Sequence, residues 1–447
     1  MFKASVVFSA VIWLIIGVLL LITVPAQAQA DMQPASAFPS DVARDWSDLH
    51  LILIRRTWGY SPPVAARAVG YLGVTLYESV VPGMPEYQSL AHQLNELGNL
   101  PQPQPGQTYH WPTVANSGQA TMTRLLFATA NAGNKAAIEN LYEKYAEQFQ
   151  REVDSETFQR SDAFGAEIAN AIFEWSKTDG GHEGYKRNFP TDYEPPVGPG
   201  LWERTPRAKG MPQPAMQPTW GNNRPFVLVS NDECTLPPPP EYSEEPGSAF
   251  YNEAYEIYTL GSQMTAEQRE IARYWADDPF RTATPVGHAV SILTQVLANE
   301  QATLDEAAEA YAKMGITMAD AFISCWYDKF KYNLVRPVTY IQKVIDPNWM
   351  PALITPPFPE YPSGHSTQSS AAAAILTSLF GDEYAFTDHT HDEWGLSSRS
   401  FDSFTGFAEE AGISRMYGGI HYRSAVEQGR LQGACVANRV NQLKFHA

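Results

Sequence analysis

Three short blocks in the last third of the chain carry side chains suited to hold a tetrahedral oxyanion and to move protons beside it. The first runs from Trp326 through Lys329 to Arg336-Pro337, the second is Pro362-Ser363-Gly364-His365, and the third is Ser414-Arg415 followed by His421. They supply one Lys, two Arg, a Ser hydroxyl, a Gly amide and two His. An arginine presents a planar fork of donors that matches an oxyanion edge, whereas lysine is a point charge. Imidazole titrates near neutrality and serves as acid, base, nucleophile or ligand.

Lys329 and Arg336 are seven residues apart, or two helical turns, so one helix face can carry both before Pro337 ends or turns it. The flanking Phe322, Ile323, Trp326 and Phe330 make that helix largely apolar, and cations on an apolar helix need a reason. Pro362 to Ser366 precedes the Ala-rich run at 371–374, which reads as a loop entering a helix N-terminus, where free N–H groups and the dipole favour an anion. Gly364 would let the backbone approach a ligand, and Ser363 and His365 lie beside it. Arg415 and His421 flank Gly418-Gly419, a break that would let the two side chains converge. Singly, each block has a plain structural explanation: solvated basic residues, a capped helix with a bystander His, a glycine turn. Together they converge on one chemistry.

The elements that must position these groups are helical. Apolar spacing predicts helices over 41–56, 64–80, 113–132, 135–152 and 155–177, and again over 249–260, 265–275, 287–300, 304–333, 366–380, 405–417 and 425–444. Strand signals are scarce, so the fold class is all-α with a helical bundle in the second half. Residues 98–109 read as a loop and Asp179-Gly-Gly-His182 as a turn. Residues 188–247 are proline-rich without a sustained period. Trp202, Trp220 and Phe226 would be costly to leave exposed, so this stretch reads as an ordered wrap. The expected organisation is a signal peptide at 1–30 and one domain at 31–447. That domain comprises a helical half at 38–187, the wrap at 188–247 and the site-bearing bundle at 248–447.

Of 447 residues, 49 are acidic and 31 are Lys or Arg, giving a net charge of −18. This argues against nucleic acid or an anionic membrane surface as partner, and any anion site must be a local cationic cluster. Lys3, an apolar run over 6–24 and the overlapping Ala-x-Ala sites at 26–30 read as a secretory signal peptide, which predicts an exported, soluble mature protein. The three cysteines leave at least one thiol unpaired. Cys325, in an apolar stretch, reads as a buried free thiol; a Cys234–Cys435 bridge is conceivable but not predicted. The cluster His389, His391, Asp392 and Glu393 fits no defined zinc or calcium spacing and reads as a solvated acidic loop.

The blocks resemble the signature of the vanadium-dependent haloperoxidase and type 2 phosphatidic acid phosphatase superfamily, K-x6-R-P, P-S-G-H and S-R-x5-H-x3-D. They appear here as Lys329-x6-Arg336-Pro337, Pro362 to His365, and Ser414-Arg415-x5-His421. Trp58-Gly-Tyr-Ser-Pro-Pro and the stretch 265–288 are similar to the longer soluble haloperoxidase-like members. The resemblance implies an almost wholly helical fold with a four-helix bundle around the anion. It implies that Lys329, Arg336, Arg415, Ser363 and the Gly364 amide bind vanadate oxygens and that His421 is the axial partner, the vanadium ligand in a peroxidase or the nucleophile in a phosphatase. His365 would be the general acid/base and Lys329 would polarise the bound oxidant, while Trp326 and Phe358 match halide-pocket positions. The implied substrates are hydrogen peroxide, a halide and an organic acceptor. Relatives are often dimers, so a homodimer is expected by analogy alone. A phosphomonoesterase working through phospho-His421, with phosphate in the same pocket, and a non-catalytic oxyanion-binding protein are the alternatives. The chain departs from the pattern at Ala425, where the family has Asp. That change removes the carboxylate that braces the second His, and Glu427 or a backbone carbonyl would have to substitute. Asp277 or Asp278 would brace Arg415.

Overall fold

The computed structural model describes residues 33–207 and 211–446; the signal-peptide reading at 1–30 lies outside them. Thirteen α-helices are described. The first five are α1 (Asp41–Arg56), α2 (Pro62–Val80), α3 (Trp111–Leu126), α4 (Ala132–Phe149) and α5 (Ser155–Ser176). After the wrap come α6 (Ala249–Gln263), α7 (Ala266–Tyr274), α8 (Thr284–Asn299) and α9 (Leu304–Tyr332). The last four are α10 (Pro337–Val344), α11 (Gly364–Phe380), α12 (Phe404–Tyr417) and α13 (Arg423–Val440). Among the described residues the only strands form two antiparallel pairs, β1 (Pro206–Arg207) with β2 (Met211–Pro212) and β3 (Phe386–Asp388) with β4 (Arg399–Phe401). The all-α expectation holds.

The centre of the molecule is α9 packed along α2. Both are buried nearly all round, as helices with no polar face must be. Glycines set their separation. A Cβ on Gly73 would lie 2.3 Å from the Tyr311 carbonyl oxygen and one on Gly315 would lie 2.4 Å from that of Val69, so only hydrogen fits at either crossing. The same device joins α11 to α13, where a Cβ on Gly433 would lie 2.2 Å from the Thr367 carbonyl oxygen. Helices α9, α11, α12 and α13 form the bundle, and the polar blocks emerge at its end.

The wrap is ordered and irregular, with Trp202, Trp220 and Phe226 buried. Its backbone is tied to carboxylates on α9, which satisfy amides that no secondary structure would serve. Asp320 accepts from the amides of Phe226, Val227 and Leu228 at 2.6, 2.9 and 3.2 Å. Asp328 accepts from the Leu236 amide at 3.0 Å. Cys234 and Cys435 form a disulfide that fastens the wrap to α13, while Cys325 is a buried free thiol. The sequence offered this pair as one possible bridge and could not settle it, because the cysteines are 201 residues apart and only the folded wrap brings them together.

Several boundaries differ from expectation. The helix predicted over 113–132 stops at Leu126, since Asn131 caps a new one by accepting from the Asn134 amide. Lys329 and Arg336 do not share a helix. Asn333 takes a left-handed conformation (φ 47°) that ends α9, and Arg336 is extended, as a residue before proline prefers. Pro337 then opens α10, which the sequence pattern did not reveal.

Candidate active site

Each residue predicted to bind the anion sits at or beside a helix end. Lys329 lies in the last turn of α9, Arg336 just before α10, Ser363 and Gly364 at the start of α11, Arg415 in the last turn of α12, and His421 in the turn before α13. Gly419, at φ 76°, makes the left-handed step that brings His421 back beside Arg415. The expected glycine break is present. Lys329, Arg336 and Ser363 have no solvent exposure, whereas Gly364 and His365 are partly exposed and mark the mouth.

Arg336 organises the pocket. Its Nε donates to the Phe358 carbonyl at 2.9 Å, and its Nη1 donates to the Ile420 carbonyl at 2.8 Å and lies 3.2 Å from His421 Nε2. Arginine has only donors, so His421 Nε2 is the acceptor and Nδ1 carries the proton. Nδ1 then donates to Glu360 Oε1 at 2.8 Å, and that oxygen also takes the Tyr422 amide at 2.9 Å. The tautomer is fixed with the Nε2 lone pair facing the cations. Burial, then Arg336, Lys329 and Arg415, hold His421 well below the ordinary histidine value, so the ring is neutral.

Glu360 is the site residue that sequence reading missed. It replaces the carboxylate absent at Ala425, neither Glu427 nor a backbone carbonyl having that role. Burial pushes its carboxyl up to about 8, against the opposing pull of Arg336 and Lys329. The usable signal was a Glu five residues before His365 in an otherwise apolar, proline-rich loop.

Lys329 donates to the carbonyls of Pro359 at 3.1 Å and Glu360 at 3.0 Å, and also to that of Pro362. Burial pushes its pKa down, to about 7, with Arg336 adding to the shift. Three carbonyls each need a proton, and this selects the ammonium form. Lys329 therefore anchors the loop before Ser363 and acts on the pocket through its charge. Phe358 lies over both cations, its ring centroid 5.1 Å from Lys329 Nζ and 5.0 Å from Arg336 Cζ. Trp326 packs on Phe358 at 4.9 Å, and its indole N–H donates to the Met216 carbonyl of the wrap at 3.2 Å. The two aromatics predicted to line a halide pocket are together and adjacent to the cations.

Arg415 Nη1 donates to the Trp275 carbonyl at 2.6 Å, and the His365 ring lies beside the same residue's backbone. Asp277 and Asp278 act on Arg415 through space. Burial and then Arg415 hold His365 well below its ordinary value. The metal-like cluster divides. His389 is exposed and pairs with Asp392 at 2.7 Å, and Glu393 with Arg55, as a solvated loop should. His391, however, is buried, because the loop after β3 folds it inward onto Asp277 and His288.

A buried cluster of cationic donors fits an oxyanion. Arg336 Nη2, Arg415 Nε and His365 Nε2 are buried without a protein partner, a costly state unless a ligand meets them. Ser363 Oγ accepts from Ser366 Oγ at 2.9 Å, leaving its own proton free to donate. A Cβ on Gly364 would meet nothing nearer than 3.9 Å, so protein packing does not demand glycine there. The donor set fits vanadate or phosphate.

The fold and pocket thus define a helical oxyanion-site protein. A family model described as the VCPO second helical-bundle domain matches residues 309–446. The crystal structure of a bacterial vanadium-dependent iodoperoxidase superposes with TM-score 0.81 at 37% identity, covering 92% of this chain and 98% of that one. A holo-type bacterial vanadium-dependent chloroperoxidase shares the fold at TM-score 0.63 and 18% identity, over 86% of this chain and 93% of its own. Vanadium chloroperoxidase from Curvularia inaequalis is 22% identical over 81% of this chain and 74% of its length. The chain belongs to the vanadium-dependent haloperoxidase family.

Proposed function

We propose that the protein is an exported vanadate-dependent haloperoxidase, oxidising halide with hydrogen peroxide to a hypohalous acid equivalent. The overall balance is H2O2 + X⁻ + H⁺ → HOX + H2O. The observation that carries this reading is the neutral His421, with its Nε2 lone pair turned into a pocket of unpartnered Arg336, Arg415 and His365 atoms. Vanadate, when bound, supplies a Lewis-acidic centre that activates peroxide for two-electron oxidation of halide.

The chain's own residues do the rest. Arg336, Arg415, Ser363 and the first-turn amide at Gly364 would neutralise the anion, with Lys329 adding charge from behind the loop. His421 Nε2 would ligate it, and Glu360 keeps that ring's tautomer and orientation. His365 Nε2, at the mouth, would take a proton from incoming peroxide and return it to the departing oxygen. Trp326 and Phe358 offer an apolar wall that excludes water and suits a weakly hydrated halide. The 37% identical relative is an iodoperoxidase, which makes iodide the halide to test first.

Export draws support from the Cys234–Cys435 bridge, since disulfides persist in oxidising compartments. Among the described residues no helix is long and apolar enough to cross a membrane.

One observation favours a second reading. The Glu360–His421 pair would also raise the nucleophilicity of His421 toward phosphate monoesters. Side-by-side assays of the dialysed protein separate the two. Iodide oxidation that requires added orthovanadate and is lost in His421→Ala supports the peroxidase. Hydrolysis of p-nitrophenyl phosphate that vanadate inhibits supports the phosphatase.

A further inference from the structure

We propose that Asp277, His288 and His391 form a separate cation site, suited to zinc or a similar borderline dication. The three come from different segments: Asp277 from the turn after α7, His288 from α8 and His391 from the turn after β3. All are buried, and one ligand atom from each lies within 4.8 Å of the others.

The hydrogen bonding around His288 asks for a cation. Its Nε2 faces Asp388 Oδ2 at 2.7 Å, and its Nδ1 faces Asp277 Oδ2 at 2.9 Å. A neutral imidazole has one proton for two carboxylates. Asp388 is already a built acceptor, taking the Tyr274 hydroxyl at 2.8 Å and the Thr390 amide at 2.9 Å. With the Nε2 proton directed to Asp388, the Nδ1 lone pair meets Asp277, and either a second ring proton or a metal ion must lie between them.

A proton would satisfy that one contact but leave the next unexplained. Asp277 Oδ1 is buried without a hydrogen-bond partner, although His391 Nε2 is 3.3 Å away. Bond lengths of about 2.1 Å to zinc put tetrahedral ligand atoms about 3.4 Å apart, close to the 3.3 Å between Asp277 Oδ1 and His391 Nε2. Asp388 behind His288 is then the carboxylate that orients a metal-binding imidazole. Asp277 and Asp388 bring two buried carboxylates to the cluster, which a dication would offset when the imidazoles bind it as neutral ligands.

The site abuts the anion pocket. The Trp275 ring stacks on His288 at 4.4 Å, and the Trp275 carbonyl holds Arg415. A cation here would fasten the β3–β4 loop to α8 and stiffen that wall.

The test is calorimetric titration of the chelator-dialysed mature protein with Zn²⁺, repeated with Co²⁺ while recording its visible absorption. The proposal expects one saturable ion per chain and the intense bands of four-coordinate cobalt. Affinity should fall ~10–100-fold in Asp388→Asn. It should fall by at least ~100-fold in His391→Ala, and stay unchanged in His389→Ala, whose ring is exposed. No saturable binding by the wild-type protein overturns the proposal. So does undiminished binding in folded His391→Ala, or binding that disappears in His389→Ala instead. Should His391→Ala fail to fold, wild-type cobalt spectra lacking those bands overturn it equally.

Discussion

Glu360 Oε1 accepts the Nδ1 proton of His421 at 2.8 Å, while Arg336 Nη1 stands 3.2 Å from the opposite nitrogen. The imidazole is thus clamped between an acceptor and a donor, and its Nε2 electron pair is aimed at the Arg336 side. The family pattern places the bracing acid four residues after this histidine. Here the acid arrives from the loop before α11, and Ala425 fills the usual position.

Glu360→Gln keeps the size of the side chain and removes its ionisable carboxyl group. Orthovanadate affinity, read from the activation of iodide oxidation and from calorimetry, should weaken ~10–100-fold. An unchanged affinity would mean that the carboxylate is a bystander.

How much of this could be read from the sequence follows from the distance over which each signal acts. Helices α1 and α5 were placed within a residue because cap and apolar spacing are local. The convergence of Lys329, Ser363, Arg415 and His421 was legible because each block has a fixed spacing. Glu360 was not, since its role depends on a turn that Gly419 makes 59 residues later. His391 looked solvated because its neighbours His389, Asp392 and Glu393 are; the inward partners Asp277 and His288 lie about a hundred residues away. Arg336 was assigned to a helix because spacing alone cannot show that Asn333 turns left-handed.

Anion binding should take up a proton at His365. The free ring sits well below its ordinary pKa, chiefly from burial and then from Arg415, and an anion beside it favours the charged form. Its pKa is therefore higher in the complex than in the free protein. By linkage the affinity rises as pH falls through the bound-state value, at up to about tenfold per pH unit. Phosphate calorimetry across pH should show a steeper slope for wild type than for His365→Ala; the anion's own ionisation is common to both. Equal slopes would remove His365 from the site.

Gly364→Ala should fold normally, because its new methyl meets Cys325 and Trp326 only at 3.9 Å. The methyl would still crowd the anion's approach to the first-turn amide. Vanadate affinity should fall by about tenfold or more, ~1.4 kcal/mol, with the melting temperature unchanged. Full affinity would place the anion elsewhere.

The protein should show no thiol reactive toward Ellman's reagent when native and one when denatured. Burial shields Cys325 and pushes its thiol up to about 11, and the other two cysteines are bonded. Cys435→Ser should cost ~2–4 kcal/mol in denaturant titration. Two or more reactive thiols in the native protein would contradict the bridge.

A crystal structure grown with orthovanadate tests most directly whether one tetrahedral anion is held jointly by the helix ends at the site. The anion is expected in contact with Arg336 Nη2, Arg415 Nε, Ser363 Oγ and the Gly364 amide, with His421 Nε2 as its ligand. A pocket that stays free of vanadate at saturating concentration, or vanadate held away from His421, would contradict it.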